Sequence, residues 1–334
     1  MQPADHPEIP LSRVGVLLVN LGTPDDASPA AVKRYLAEFL SDKRVVEIPA
    51  LVWQPILRGI ILNTRPRKSA LAYQQVWTEQ GSPLAVITRA QAGALAARFG
   101  DAVLVDHAMR YGRPAISEKL AALKTAGCDR ILIAPLYPQY SGATTATVVD
   151  AVSATLAKMR WQPAIRILPP YHDDPAYIDA LKQSIEAGLA GLDSAPDLIL
   201  ASFHGMPLRT LALGDPYHCQ CQKTARLLCE ALGRPVQISF QSRFGRARWL
   251  EPATEATLAA LPGKGIGSVA VVAPGFSADC LETLEEIAIR GRDTFLKAGG
   301  RQFFYLSCLN DSIPGIEMLC NIVRRELAGW VSPP

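Results

Sequence analysis

One histidine and a short run of carboxylates carry the chemistry most open to interpretation in this sequence. His204 ends the apolar run Leu198-Ile199-Leu200-Ala201-Ser202-Phe203 and is followed at once by Gly205-Met206-Pro207. An unbroken apolar run closed by turn residues predicts a buried parallel strand whose last residue opens onto a loop. Ligands of open α/β sheets bind outside the carboxyl ends of the strands, which sets His204 at a cleft. The alternative is a core histidine satisfied by its neighbours. Asp279, Glu282 and Glu286 follow a second such run, Ser268 to Ala273. Their spacing of three and four residues puts them on one face of a helix starting near Cys280, with Asp279 as its N-cap and Glu285 at the edge of the face. Acidic residues in a first turn are ordinary helix-dipole partners. That covers Asp279 and Glu282 but accounts less well for Glu286. A carboxylate ladder offers oxygen ligands to a hard cation, and an imidazole beside a carboxylate suits a labile Fe2+ or proton abstraction.

The sequence has no His-x-x-x-His or Cys-x-x-Cys cluster for a tightly held metal. His218-Cys219-Gln220-Cys221 is a weak soft-metal signal, because no second pair completes it. Cys128, Cys229, Cys308 and Cys320 read as small core residues, and Cys280 lies beside the acidic run. Aromatic residues gather at strand ends (Tyr111, Tyr137, Tyr140, Phe244, Trp249, Phe276), accompanied by Arg110, Arg113, Arg243 and Arg246. Such walls and guanidinium clamps suit a flat, apolar ligand with peripheral carboxylates. Neither Gly-x-Gly-x-x-Gly nor a Walker A motif is present, which argues against nucleotides.

Eight predicted strands position these residues. They are Arg13–Asn20, Ala102–Met109, Arg130–Leu136, Ile165–Leu168, Asp197–His204, Pro235–Gln241, Ser268–Ala273 and Gln302–Ser307, with helical stretches between them. Three strand-end motifs repeat in the same order. Gly22-Thr23-Pro24 echoes Gly205-Met206-Pro207. Arg110-Tyr111-Gly112-Arg113 echoes Arg243-Phe244-Gly245-Arg246. Ala134-Pro135-Leu136-Tyr137 echoes Ala273-Pro274-Gly275-Phe276. The fold class expected is therefore α/β, with two similar β/α domains, 11–178 and 179–330, each a four-stranded parallel sheet flanked by helices, and a ligand cleft between them. About 85 residues separate the first two echoes in the first half, against about 35 in the second. The excess, about 25–81, reads as a lip over the cleft and contains the apolar stretch Val45–Leu62. Arg65-Pro66-Arg67-Lys68 reads as a polar loop before a short helix from Ser69 to Thr78.

Composition narrows the class further. At 334 residues the chain exceeds the usual single core. A net charge of +3 with scattered Lys and Arg argues against nucleic-acid binding. Met1 to Pro10 lacks the features of a signal peptide, and no apolar run reaches the ~18 residues of a membrane span. Seven irregularly spaced cysteines fit reduced thiols in the cytoplasm.

Taken together, the motifs resemble the ferrochelatases, enzymes that insert ferrous iron into protoporphyrin IX. The resemblance runs from about Val14 to Leu327. It rests on Val19-Asn20-Leu21-Gly22-Thr23-Pro24, Leu136-Tyr137-Pro138-Gln139-Tyr140-Ser141, Ser202-Phe203-His204-Gly205-Met206-Pro207 and Phe240-Gln241-Ser242-Arg243. Most specific is Gly275-Phe276-Ser277-Ala278-Asp279-Cys280-Leu281-Glu282-Thr283-Leu284. It implies two Rossmann-like domains with the porphyrin clamped between them, His204 and Glu282 catalytic and meeting the metal, and Glu286 and Asp279 as an acidic relay. Leu21, Arg110, Tyr111, Tyr137, Ser141 and Trp249 would contact the porphyrin. The lip would cover it and can touch a membrane surface. Fe2+ and protoporphyrin IX are then the substrates, with no permanent cofactor and a monomer expected. Three departures are informative. Cys280 stands where many members have His. The chain has no Cys-rich tail, so no [2Fe–2S] cluster is expected. Leu21 replaces a Tyr found in Gram-positive relatives that use coproporphyrin III, which favours protoporphyrin IX. A chelatase for another tetrapyrrole, such as a cobalt chelatase, would want more histidines. A solute- or haem-binding protein without catalysis is the remaining alternative.

Overall fold

In the computed structural model every predicted apolar run becomes a strand. The structure describes residues 12–245 and 247–331. Arg246, the N-terminal segment through residue 11 and the last three residues lie outside the described residues. The first half supplies β1 (Arg13–Thr23), β2 (Val103–Gly112), β3 (Cys128–Pro135) and β4 (Ala164–Ile167), and the second supplies β5 (Leu198–His204), β6 (Val236–Gln241), β7 (Ser268–Val272) and β8 (Gln302–Tyr305). The sheet orders are β2-β1-β3-β4 and β6-β5-β7-β8, and every pairing is parallel. The central strands β1, β3, β5 and β7 are buried on both faces, which is why they read as continuous apolar runs rather than alternating ones.

The motif echoes have a backbone cause. A Cβ on Gly22 would lie 1.7 Å from the Tyr111 carbonyl oxygen, and a Cβ on Gly205 would lie 2.5 Å from that of Gln241. At both places the chain leaves the sheet beneath a carbonyl of the neighbouring strand, where only glycine fits. Gly22 also sits at φ +110°. The second strands also end alike: Met109 N–H donates to Pro114 O, and Phe240 N–H donates to Pro252 O.

The two sheets share one core. Val16 and Leu132 of the first and Ile199 and Phe203 of the second belong to the same apolar cluster as Leu319 and Val323. Helices Pro83–Phe99, Pro175–Ala190, Tyr217–Leu232 and Ile313–Glu326 all contribute to it. The last of these returns to the first half, where Arg166 donates to Glu326 O at 2.6 Å and Ala328 O at 2.9 Å. The outer faces have separate clusters, around Leu17, Ile131 and Leu120 in one half and Leu200, Val271 and Phe295 in the other.

The insertion is wholly helical in its second part. Helix Ala50–Ile56, a π-turn Leu57–Ile61 and helix Leu62–Val76 follow one another without a break. This corrects the loop expected at Arg65–Lys68. Pro66 is buried and lacks an N–H, but the widened turn before it is supported by side-chain donors. Asn63 Nδ2 donates to Arg58 O and Gly59 O, and Thr64 Oγ1 donates to Ile60 O.

Asp42, which ends helix Pro29–Ser41, ties the insertion to the first sheet. Its carboxylate accepts from Arg110 Nη2 at 2.6 Å, Tyr111 Oη at 2.9 Å and Thr147 Oγ1 at 2.5 Å. Burial alone would raise this carboxyl; the Thr147, Arg44 N–H and Tyr111 bonds and the Arg110 charge outweigh it and hold it below 3.8. Across the cleft, Glu47 pairs with Arg209 at 2.5 Å, and the Arg65 guanidinium lies 5.5 Å from the Phe244 ring centre.

Two stability predictions follow from these contacts. Gly22→Ala meets a backbone carbonyl and a left-handed φ together, so urea denaturation is expected to show a loss of roughly 2–4 kcal/mol; an unchanged midpoint contradicts the close approach. Asp42→Asn is expected to cost roughly 1–3 kcal/mol at pH 7. Because the folded carboxyl lies below its ordinary 3.8, the native residue's advantage is present above that value and disappears as pH falls through the folded value. Melting curves of both proteins from pH 7 to pH 2 should therefore converge at the acid end; a constant gap contradicts the assignment.

Candidate active site

His204 stands at the carboxyl end of β5, half-buried, opposite Gln241 of β6. Its Nδ1 is 2.7 Å from Gly205 O. A carbonyl oxygen only accepts, so Nδ1 carries the hydrogen and Nε2 keeps its lone pair. Phe276 flanks the ring, with centroids 6.4 Å apart. The equivalent end of β1 carries Leu21 and no imidazole.

The acidic helix Glu282–Gly291 is wound as a π-helix along its whole length, not as the α-helix its spacing predicts. Glu282 and Glu286 remain on neighbouring turns. Glu285 turns away and pairs with Arg290, five residues on, at 2.8 Å. Glu286 is held by Ser242, whose N–H and hydroxyl donate to its two carboxylate oxygens at 2.7 and 2.6 Å. Burial pushes the Glu286 carboxyl above its ordinary 4.5; the Ser242 bonds and the nearby His204 pull in the opposite direction without cancelling it. Ser242 reaches this position with φ 61°, a conformation uncommon outside glycine.

Glu282 lines a small pocket where the halves meet, together with Leu21, Gly22, Thr23, Tyr35, Tyr73, Ser82, Leu84, Cys280 and Leu281. The surroundings are neutral hydroxyls and a thiol. Burial pushes the Tyr35 and Tyr73 phenols and the Cys280 thiol well up, and the Glu282 charge adds to it. Cys280 packs with Leu84 and Ala278, so it is a core thiol.

Asp279 departs from the expected ladder. Its carboxylate is buried and accepts from Tyr305 Oη, Thr283 Oγ1 and Asn310 Nδ2 at 2.5, 2.9 and 2.7 Å. It knits the β7 turn to the segment after β8 and makes none of these bonds to Glu282 or Glu286. Tyr111 departs as well: it is fully buried, with its hydroxyl on Asp42. Arg110 spends Nη2 on Asp42 and Nε on Thr147. Ser141 is buried and donates to Asp215 of the other half at 3.2 Å. Trp249 is buried under the Gly205 turn, its Nε1 donating to Phe244 O. Tyr137 is nearly buried, and its hydroxyl has no hydrogen-bond partner among the described residues. Of the residues expected at the ligand, Leu21 and Glu282 line the small pocket, and His204 and Glu286 lie near each other. Arg110, Tyr111, Ser141 and Trp249 have their polar groups bonded to other residues.

Gln241 and Ser242 contact the acidic helix, a role that residue spacing does not single out. The signal available for them is the ferrochelatase-like stretch Phe240-Gln241-Ser242-Arg243, a polar pair closing an apolar strand. Cys219 is exposed and Cys221 buried, so this pair does not share a face. Among the described residues no group of three or more His, Cys, Asp and Glu side chains is gathered to hold a metal.

Comparison with known proteins identifies the family and the fold. The ferrochelatase family model matches residues 13–327. A ferrochelatase of Rhizobium meliloti (strain 1021) is 55% identical, covering 98% of this chain and 98% of its own. One from Azoarcus sp. (strain BH72) is also 55% identical, over 99% of this chain and 93% of its own. Among solved structures, SirB from Bacillus subtilis with Fe3+ superposes with a TM-score of 0.58 at 14% identity, over 95% of this chain and 97% of that one. CbiX, the terminal enzyme for biosynthesis of sirohaem in denitrifying bacteria, gives 0.50 at 17% identity, over 94% and 100%. The structural likenesses show a shared chelatase-type α/β fold; the sequence matches decide the family. This chain belongs to the ferrochelatase family.

Proposed function

We propose that this chain inserts Fe2+ into protoporphyrin IX to give protohaem, the terminal step of haem b formation. His204 takes the pyrrole protons and Glu282 meets the iron. The observation that carries this reading is the state of His204. Its Nδ1 is committed to Gly205 O, its basic Nε2 is left over, and Glu286 lies close enough to feel its charge. Insertion replaces two pyrrole protons by one Fe2+. Nε2 accepts each proton in turn, and Glu286 stabilises the imidazolium and passes the proton outward. Leu21 and Phe276 supply apolar walls, and the unpartnered Tyr137 hydroxyl is a group a bound ligand would satisfy. Binding energy spent on bending the macrocycle would expose the nitrogen lone pairs.

The lip supports a second element of the proposal, peripheral contact with a lipid surface by a monomeric cytoplasmic protein. Leu51 is 93% exposed, Ile60 58% and Val52 56%. Helix Ala50–Ile56 buries none of its residues. Arg58, Arg67 and Lys68 lie nearby, all exposed. An apolar helix face flanked by cations is the pattern of an interfacial segment. Among the described residues no helix is long and apolar enough to cross a membrane.

Anaerobic mixing with Fe2+ and protoporphyrin IX should produce the haem spectrum, and coproporphyrin III should be metallated more slowly. Porphyrin bands that shift without metallation would leave only a binding protein. His204→Ala is expected to slow insertion by roughly 100-fold or more while still quenching porphyrin fluorescence on binding; full insertion by that variant refutes the assignment. In sedimentation with anionic vesicles, Leu51→Glu is expected to lower the bound fraction, its partition constant falling by roughly tenfold or more. Equal binding by both proteins removes the lip from the lipid contact.

A further inference from the structure

We infer that Gln241 is a positioning residue for metal insertion: it sets the first turn of the acidic π-helix against the strand that carries His204. The inference rests on the iron-insertion reading above. Gln241 ends β6 and is 2% exposed. It touches both sides of the site. Its backbone lies opposite His204 in the β5–β6 register, and its carbonyl accepts Gly205 N–H at 2.7 Å. Its side-chain Nε2 donates to the backbone carbonyl of Glu282 at 2.8 Å.

The amide has one workable orientation. The Glu282 carbonyl can only accept, so the NH2 group must face it, and Oε1 must face the other way. There it accepts from Ser202 Oγ at 2.7 Å. Ser202 Oγ lies 2.8 Å from Thr254 Oγ1, which lies 2.9 Å from Ser239 Oγ. Ser202, Ser239, Thr254 and Gln241 are all buried. A line of buried polar groups is costly unless each member is paired, and apolar side chains of similar size would fill the same space. What the line supplies is direction: it holds one amide N–H on one carbonyl. The adjacent residue, Ser242, grips Glu286 with its N–H and hydroxyl. Consecutive residues at the end of β6 thus hold both carboxylate-bearing turns of the helix, while Gln241 is also hydrogen-bonded to the turn after His204. Without the amide, the Glu282 turn is free to shift while the His204 strand stays in place.

The test is a double-mutant cycle in the anaerobic insertion assay, using the unsubstituted protein, Gln241→Met, Glu282→Gln and the double variant. For Gln241→Met, kcat is expected to fall by roughly 10- to 100-fold, the scale of a small misplacement of a reacting group. The KM for porphyrin should stay within about twofold. The double variant should be no slower than Glu282→Gln alone, because Gln241 acts through Glu282. Gln241→Asn is the second variant. It keeps a polar amide in the buried line but draws it back by one methylene from Glu282 and Ser202 alike, so it should repeat the result if the Met variant fails to fold. A kcat within about twofold of the unsubstituted protein, or losses that multiply in the double variant, overturns the inference. No insertion by the unsubstituted protein would instead overturn the functional reading beneath it.

Discussion

The site depends on how the chain leaves the end of β5. The strand must turn directly beneath the carbonyl of Gln241, and the space for a side chain at the first residue of the turn is already occupied. Glycine there lets Gly205 N–H reach that same carbonyl, and the turn gives His204 a carbonyl to hold its Nδ1. Backbone sterics therefore decide the tautomer of the one imidazole at the site. Trp249 and the Met206–Leu250 backbone bond close the turn from below, so the ring stands on a rigid base.

The acidic side of the site is built on a different principle. A π-helix gives a poorer backbone geometry than an α-helix and persists where tertiary contacts hold it. Here those contacts come from β6. Gln241 holds a carbonyl of the helix, and Ser242, in a left-handed conformation, holds a carboxylate. Glu285 pairs with Arg290, while both oxygens of Glu286 accept from Ser242. Glu286 is buried enough that its charged form is disfavoured, and the neighbouring imidazole partly offsets that.

The first half contributes the helical insertion and no imidazole at its strand end. It repeats the plan of the second, down to the glycine beneath a carbonyl, but its strand end carries Leu21. Its insertion is fixed at the base by Asp42 and reaches the other half through Glu47 and Arg65. The halves share a core, so the two strand ends that face each other are held in fixed relation by the four helices between them.

The strands, their order of occurrence, the repeat and the position of His204 at a strand end were all legible in the sequence. A doubly buried parallel strand is a local pattern, and a glycine that must sit under a carbonyl leaves a motif. Glu282 and Glu286 were legible as a pair because four residues apart means one face in either helical winding. The winding itself was not legible, since the helix is held by contacts from Gln241 and Ser242, distant in sequence, and with it went the fate of Glu285. The same holds for Asp279, Arg110, Tyr111 and Ser141. Their types suit a ligand, but Tyr305, Asn310, Asp42 and Asp215, distant in sequence, take up their polar groups. The helix through Pro66 also depended on donors one turn away. Sequence by itself determined which residues could do the chemistry, because that is a property of residue type and local backbone. The tertiary structure decided which of them remain free to do it, because a polar group is available only when the fold has given it no other partner.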